Sequence, residues 1–184
     1  VLHVLNVAET VSDEVPEPVS DDELTTIHAQ CNIDVAIAID RSGSMSDTVK
    51  AGPGSPAKLI VAKAAAKRFV EAIEEEMPPS QVAVVQFNDA AEIEQELTYD
   101  EDAVKAAIAG IGPANGGTDL ADAISVAATE LQSGRRRPEN LPLMLLLSDG
   151  ISSRGPAVRA ADAAKAAGIR IVAISLGANE VMRD

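Results

Sequence analysis

Tryptophan is absent from this 184-residue chain, and its aromatic side chains amount to one Tyr and two Phe. Any core must therefore be assembled from Val, Ile, Leu and Ala. Cysteine is nearly absent too: Cys31 stands alone, which excludes an internal disulfide. It reads either as an idle thiol just ahead of the first core strand or as a bridge to a cysteine outside this sequence, the latter implying an oxidising compartment. The two histidines, His3 and His28, both precede the first strongly apolar run, far from any candidate nucleophile. No Ser-His-Asp set can be assembled around them, and no histidine lies near the loops that matter below, which argues against zinc. No glycine-rich dinucleotide fingerprint and no Walker loop occurs. No apolar run is long enough to cross a membrane. Positive charge is scarce, with 15 Lys and Arg against 29 Asp and Glu and a formal net charge of −14. A chain this acidic repels phosphate backbones, which argues against nucleic acid as a partner. The one basic cluster, Arg135-Arg136-Arg137, reads as a solvated loop, with contact to an anionic surface as the alternative.

Apolar residues make up 46% of the chain, enough for a real core. Val1–Val11 reads as a strand, either the end of a preceding β domain or a pairing arm, and its opening in mid-pattern suggests a piece of something longer. Residues 12–30 read as an acidic linker, because Ser12–Glu23 carries Asp, Glu, Pro and Ser with no apolar period. The main domain then covers residues 31–184. Ile33–Ile39 is a continuous apolar run, the mark of a strand covered on both faces. Leu59, Ala62, Ala66, Phe69, Ile73 and Met77 recur at helical spacing until Pro78-Pro79 stops them. Gln81–Phe87 is a second buried strand. Ala91, Ile93, Gln95 and Leu97 alternate with Glu92, Glu94 and Glu96, which marks an exposed edge strand reached through a turn at Asn88-Asp89. Helices follow at Asp100–Ile111 and along the stripe Leu120, Ile124, Ala127 and Leu131. Leu141–Leu147 is the most apolar strand, Pro156–Ala167 a helix stopped by Gly168, and Ile169–Leu176 the last strand. Strands alternating with helices predict an α/β fold: a mostly parallel sheet with helices on both faces and one antiparallel edge strand. A further strand and helix would commonly follow, so the domain reads as cut short at its C-terminus.

Three segments in this pattern carry oxygen chemistry. Asp40-Arg41-Ser42-Gly43-Ser44 closes the first strand, Gly116-Gly117-Thr118-Asp119 opens a helix, and Ser148-Asp149-Gly150 closes the leucine-rich strand. In an open α/β sheet, ligands bind beyond the carboxyl ends of the strands where the strand order reverses. If the first and the leucine-rich strands are neighbours there, all three loops converge. Hydroxyl and carboxylate oxygens are hard ligands, suited to Mg²⁺. Ser42 and Ser44 are two residues apart, so both hydroxyls can turn inward, with Gly43 permitting the backbone between them. Asp119 reads as a first-turn acid favoured by the helix dipole rather than as a ligand, and Thr118 can cap that helix and bind an ion at once. The Gly52–Pro56 loop follows the first segment and reads as a plain loop or as the rim of the binding face.

Asp40-Arg41-Ser42-Gly43-Ser44-Met45, then Gly116-Gly117-Thr118-Asp119-Leu120, then Ser148-Asp149-Gly150, resembles the metal-ion-dependent adhesion site (MIDAS) of the von Willebrand factor type A (VWA) family, in order and spacing. The resemblance covers about Asn32 to Leu176, and every motif position is filled. It implies a Rossmann-like doubly wound fold and a bound Mg²⁺, for which Mn²⁺ or Ca²⁺ can substitute. It implies Ser42, Ser44 and Thr118 as direct ligands, and Asp40 and Asp149 as ligands acting through water or from behind. It points to a non-enzymatic adhesion or interaction module, in which an Asp or Glu of a protein partner completes the metal shell. The alternatives are an intracellular subunit that docks an AAA+ ATPase in a metal-insertion or remodelling machine, and a structural module of a surface filament. The β-like arm and the acidic linker favour an extracellular or cell-surface location over a cytoplasmic one.

Overall fold

The computed structural model describes residues 32–49, 54–150 and 154–177. The expected Val1–Val11 strand, the acidic linker, His3, His28, Cys31 and the first half of the Gly52–Pro56 loop lie outside these residues. The described chain runs β1 (Ile33–Asp40), a 3₁₀ turn (Gly43–Ser46), α1 (Lys58–Glu76), β2 (Gln81–Phe87), β3 (Ala91–Thr98), α2 (Glu101–Gly110), α3 (Leu120–Glu130), β4 (Leu141–Ser148), α4 (Arg154–Ala166) and β5 (Arg170–Ser175).

The five strands form one sheet in the order β3-β2-β1-β4-β5. β1 lies parallel to both β2 and β4, β4 lies parallel to β5, and β3 joins β2 antiparallel. Every residue of β1 is buried, as its unbroken apolar run requires. Its side chains alternate between two cores. Val35, Ile37 and Ile39 face α1 and α2, packing with Leu59, Ala66, Ile73, Val104 and Ile108. Ala36 and Ala38 face the other way, packing with Ala123, Ala127 and Leu131 of the α3 segment and Ala164 of α4. Alanine on strand and helix alike lets α3 come close to the sheet, so a core with few aromatic rings can still fill its space. This is the doubly wound arrangement that the strand and helix spacing predicts.

The sheet edges are more exposed than its middle, as an edge strand with one charged face predicts for β3. Of the four inward-facing candidates on β3, Leu97 is buried but Ile93 is 39% exposed. An edge strand has a neighbour on one side only, and register shifts between the Val82 and Val85 pairings turn β3 away from the sheet. At the opposite edge, β5 has burial typical of a margin, with Val172 47% exposed.

The topology decides where a site can be. The chain leaves β1 through α1 to reach β2 on one side and later returns to β4 on the other, with Ile39 opposite Leu147. The carboxyl ends of β1 and β4 are therefore adjacent, at the point where strand order reverses.

Candidate metal centre

Asp40, the last residue of β1, is fully buried. Its Oδ1 accepts from the Ser42 backbone N–H (2.7 Å), and its Oδ2 accepts from the Ser148 hydroxyl (2.6 Å). The first and third loops are thus tied together through one carboxylate. The 3₁₀ turn that follows is set by Met45, which is fully buried and anchors the turn in the core. With Met45 pointing inward, Ser44 turns back toward Ser42, and their hydroxyls lie 3.2 Å apart.

The second loop is stitched to the first by backbone. Gly43 N–H donates to Gly116 O (3.0 Å), and Asn115 N–H donates to Arg41 O (2.8 Å). Arg41 Nη1 and Asn88 Nδ2 both donate to Asn115 Oδ1, at 2.7 and 2.8 Å. The β2–β3 turn supports this loop from the far side: Gly117 N–H donates to Asp89 Oδ1 (2.8 Å), and Asp119 N–H donates to Asn88 O (2.6 Å). This explains the glycine pair. Gly116 adopts φ +73°, and a Cβ there would sit 2.5 Å from Asp89 Oδ2, while one on Gly117 would sit 2.7 Å from Asp89 Oδ1. Thr118 is held between these anchored glycines and Asp119. The α3 cap is Asp119, whose side chain accepts from Asp122 N–H (3.0 Å), so the expected first-turn acid is the cap itself and Thr118 is not.

The third loop brings Asp149. Its side chain is only 1% exposed, and its Oδ2 lies 3.0 Å from Lys58 Nζ. Its other oxygen, Oδ1, is buried with no hydrogen-bond partner among the described residues. Burial pushes the Asp40 carboxyl above its ordinary value; the Ser148 and Ser42 donors oppose this, and the nearby Asp149 charge adds to it.

The structure therefore gathers Asp40, Ser42, Ser44 and the Ser148-Asp149 segment at one edge, with the Thr118 loop bonded across Gly43–Gly116. Among the described residues, no group of three or more His, Cys, Asp or Glu side chains could hold a metal. The donor set here is instead two carboxylates with hydroxyls, which fits a hard, oxygen-seeking divalent cation. The orphaned Asp149 Oδ1 fits it too, since a buried anionic oxygen without a partner is costly and an ion would satisfy it. Beside Thr118 opens a groove of about 770 Å³ between α3 and α4, lined by Asp89, Asp119, Asp122, Ser125 and Arg159 among others.

Four residues that shape this edge have no assigned site role in the sequence reading: Lys58, Asn88, Asp89 and Asn115. Only Lys58 carried a usable signal, because a cation in the first turn opposes the helix dipole and calls for an anionic partner. The basic cluster is a solvated loop, with Arg135 and Arg137 exposed, and it is also tied down. Arg135 forms a two-point ion pair with Glu130 (2.9 and 2.7 Å), Arg136 Nη2 donates to Asn140 O (2.8 Å), and Arg137 N–H donates to Asp34 Oδ2 (2.8 Å). Local composition does not show these ties to buried residues.

A family model described as the von Willebrand factor type A domain matches residues 34–183. No curated protein matches the chain. Among solved structures, the chain is similar to BatB of Bacteroides thetaiotaomicron, described as a conserved hypothetical protein, at 26% identity and a TM-score of 0.67, covering 78% of this chain and 66% of that one. It shares its fold with the SpRpn10 VWA domain, at 17% identity and a TM-score of 0.65, covering 83% and 79% of the two chains. It also shares its fold with proximal thread matrix protein 1 of the mussel byssus, solved with zinc in its MIDAS motif, at 23% identity and a TM-score of 0.64, covering 79% of this chain and 39% of that one. The chain thus spans just under two thirds of the BatB chain and about two fifths of the mussel protein. The family match takes in every described strand and helix apart from the first residue of β1, and the chain belongs to the von Willebrand factor type A domain family.

Proposed function

We propose that this VWA domain is a non-catalytic interaction module that grips a protein partner through a divalent cation held at the β1–β4 edge. VWA domains are generally interaction modules, some with a metal site of this type. The observation that carries the reading is the buried, unpartnered Asp149 Oδ1 beside the bonded Asp40–Ser148 pair. A closed structural network would have no such gap. Ser42, Ser44 and Thr118 would hold the ion directly, with Asp40 and Asp149 acting through water or from behind. The ion is Mg²⁺, with Mn²⁺ or Ca²⁺ as substitutes, and the zinc-loaded mussel protein supports a divalent ion at this place in the fold. When bound, it supplies an open coordination position that accepts a partner's Asp or Glu carboxylate.

The chain's own residues do the rest. Asp40 fixes the Ser42 backbone and the Ser148 hydroxyl, so the two strand ends cannot drift apart. Asp89 and Asn115 hold the glycine pair so that Thr118 stays at the rim. The groove beside Thr118 offers partner side chains a second foothold, and its three aspartates favour basic ones.

Thermal melting with added Mg²⁺ or Mn²⁺ tests the reading. An ion bound only by the native state stabilises it, by about 2.7 kcal/mol at a hundredfold excess over Kd. Wild type should therefore melt at a higher temperature with the ion, and Asp40→Ala and Thr118→Ala should fold but show no rise. An equal rise in wild type and both variants would overturn it.

A further inference from the structure

Lys58 is an unusual residue to find where it is. It opens α1, where the helix dipole disfavours a cation. Its side chain is only 10% exposed, and its aliphatic tail runs past Gly177, where a Cβ would meet Lys58 Cε at 3.1 Å. Its backbone N–H is fixed by Asp47 O (2.8 Å), and its ammonium lies 3.0 Å from Asp149 Oδ2 and 3.9 Å from Asp47 Oδ2. Burying an ammonium is expensive unless it is paired, and Asp149 is the buried partner here. The pair is also lopsided. Lys58 meets one oxygen of Asp149 and leaves the other buried and unpartnered.

We propose that Lys58 is a built-in counter-cation of the metal site, which weakens the binding of the ion and strengthens the hold of the ion-loaded site on a carboxylate. The inference rests on reading the three loops as a cation site. Asp40 and Asp149 supply negative charge at the site, with the exposed Asp47 beside them, and Lys58 is the cation among them. Lys58 makes the site one charge more positive than it would otherwise be, which opposes a divalent ion and favours an incoming carboxylate. Lys58 lies beside Asp149 and repels an ion bound there, so the ion is held more loosely. The same ammonium attracts an acid arriving at the loaded site, and the empty domain does not hoard the metal.

The test uses Mn²⁺ as the ion and acetate as the carboxylate, on wild type, Lys58→Met and Lys58→Gln. Mn²⁺ affinity is read by calorimetry with and without acetate, and the fold by circular dichroism. Removing one like charge a few ångström from the ion should tighten Mn²⁺ binding by about tenfold or more. The affinity of the Mn²⁺-loaded domain for acetate, titrated at saturating Mn²⁺, should fall severalfold. A residue that merely positions Asp149 would give the opposite sign, with weaker Mn²⁺ binding in both variants, and that result overturns the proposal. Lys58→Gln keeps a neutral donor and carries the test if Lys58→Met does not fold. Loss of the native fold in both variants would make Lys58 a folding residue and also overturns it. Absence of Mn²⁺ binding in wild type and both folded variants would bring down the cation site itself. Wild-type binding that is lost in Asp40→Ala, with no tightening in either Lys58 variant, would leave the site standing and remove only the role of Lys58.

Discussion

Two aspartates stand near the two ends of β1, both fully buried, and they are finished differently. Asp34, at the amino end, accepts from three N–H donors: Asn140 Nδ2 (2.8 Å), Gln81 Nε2 (3.4 Å) and the Arg137 backbone (2.8 Å). Each is a one-way donor, so the carboxylate is locked as an acceptor. Asp40, at the carboxyl end, accepts from one backbone N–H and from the Ser148 hydroxyl, which can reverse its role. Next to it lies Asp149 Oδ1, with no hydrogen-bond partner among the described residues. The amino end extends into a wider network, since Gln81 also donates to Arg135 O and Arg135 clamps Glu130, and the orphan there is a donor, Arg136 Nε, rather than an anionic oxygen. The lesson is that burial and residue type do not separate structure from function on this strand. Partner chemistry does: one end is saturated, and the other leaves oxygen capacity over.

The sharpest way to break this contrast is to place the same residue at both ends. Asp34→Asn forces an amide N–H against fixed donors and should cost about 3 kcal/mol of stability, seen as a lowered denaturation midpoint. Asp40→Asn should cost about 1 kcal/mol or less in ion-free protein, because Ser148 can turn to accept from the amide and an unfavourably buried charge is removed. Equal losses at the two positions would dissolve the distinction.

The pH dependence should also differ in sign. The Arg135 hydrogen bonds, followed by the Leu97 N–H, hold the Glu130 carboxyl below its ordinary value against the effect of burial. Its contribution is present above the unfolded-state carboxylate range and is lost as pH falls through the lowered native value. Glu130→Gln should therefore cost about 2 kcal/mol at neutral pH and progressively less in acid. Asp40 is shifted upward, so the native state holds its proton more tightly than the unfolded chain does. Its effect on stability is most favourable at low pH and declines as pH rises toward the raised native value. Unfolding of Glu130→Gln and Asp40→Asn across acid pH should give difference curves of opposite slope.

Smaller effects sharpen the picture. Gly117→Ala drives a Cβ onto Asp89 Oδ1 and should cost about 1 kcal/mol or more, with a weakened ion-induced melting shift. Tyr99→Phe removes the exposed hydroxyl that accepts from Arg137 Nε (2.7 Å) and should cost about 0.5 kcal/mol, with no change in ion binding.

Much of the fold was legible because its signals are local and strong. The apolar runs marked β1, β2 and β4 to within a residue, and the stripes in α1 and α3 gave their buried faces. The loops bearing Asp40, Thr118 and Asp149 were readable as oxygen-rich ends of elements. Their convergence was conditional, since periodicity does not say that β1 and β4 are neighbours; the sheet order supplies that. Other features were hidden by distance along the chain. Asp89 meets Gly117 across 28 residues, Lys58 meets Asp149 across 91, and Asp34 meets Asn140 across 106. Nothing in a local window announces such pairs. For the same reason the ties of the solvated triple arginine to Glu130, Asn140 and Asp34 were not visible.

The central claim is tested most directly by the anomalous scattering of Mn²⁺ in crystals of the domain. The account predicts one strong peak in coordination contact with the Ser42, Ser44 and Thr118 hydroxyls, facing Asp149 Oδ1. A peak elsewhere on the surface, or none at saturating Mn²⁺, would contradict it.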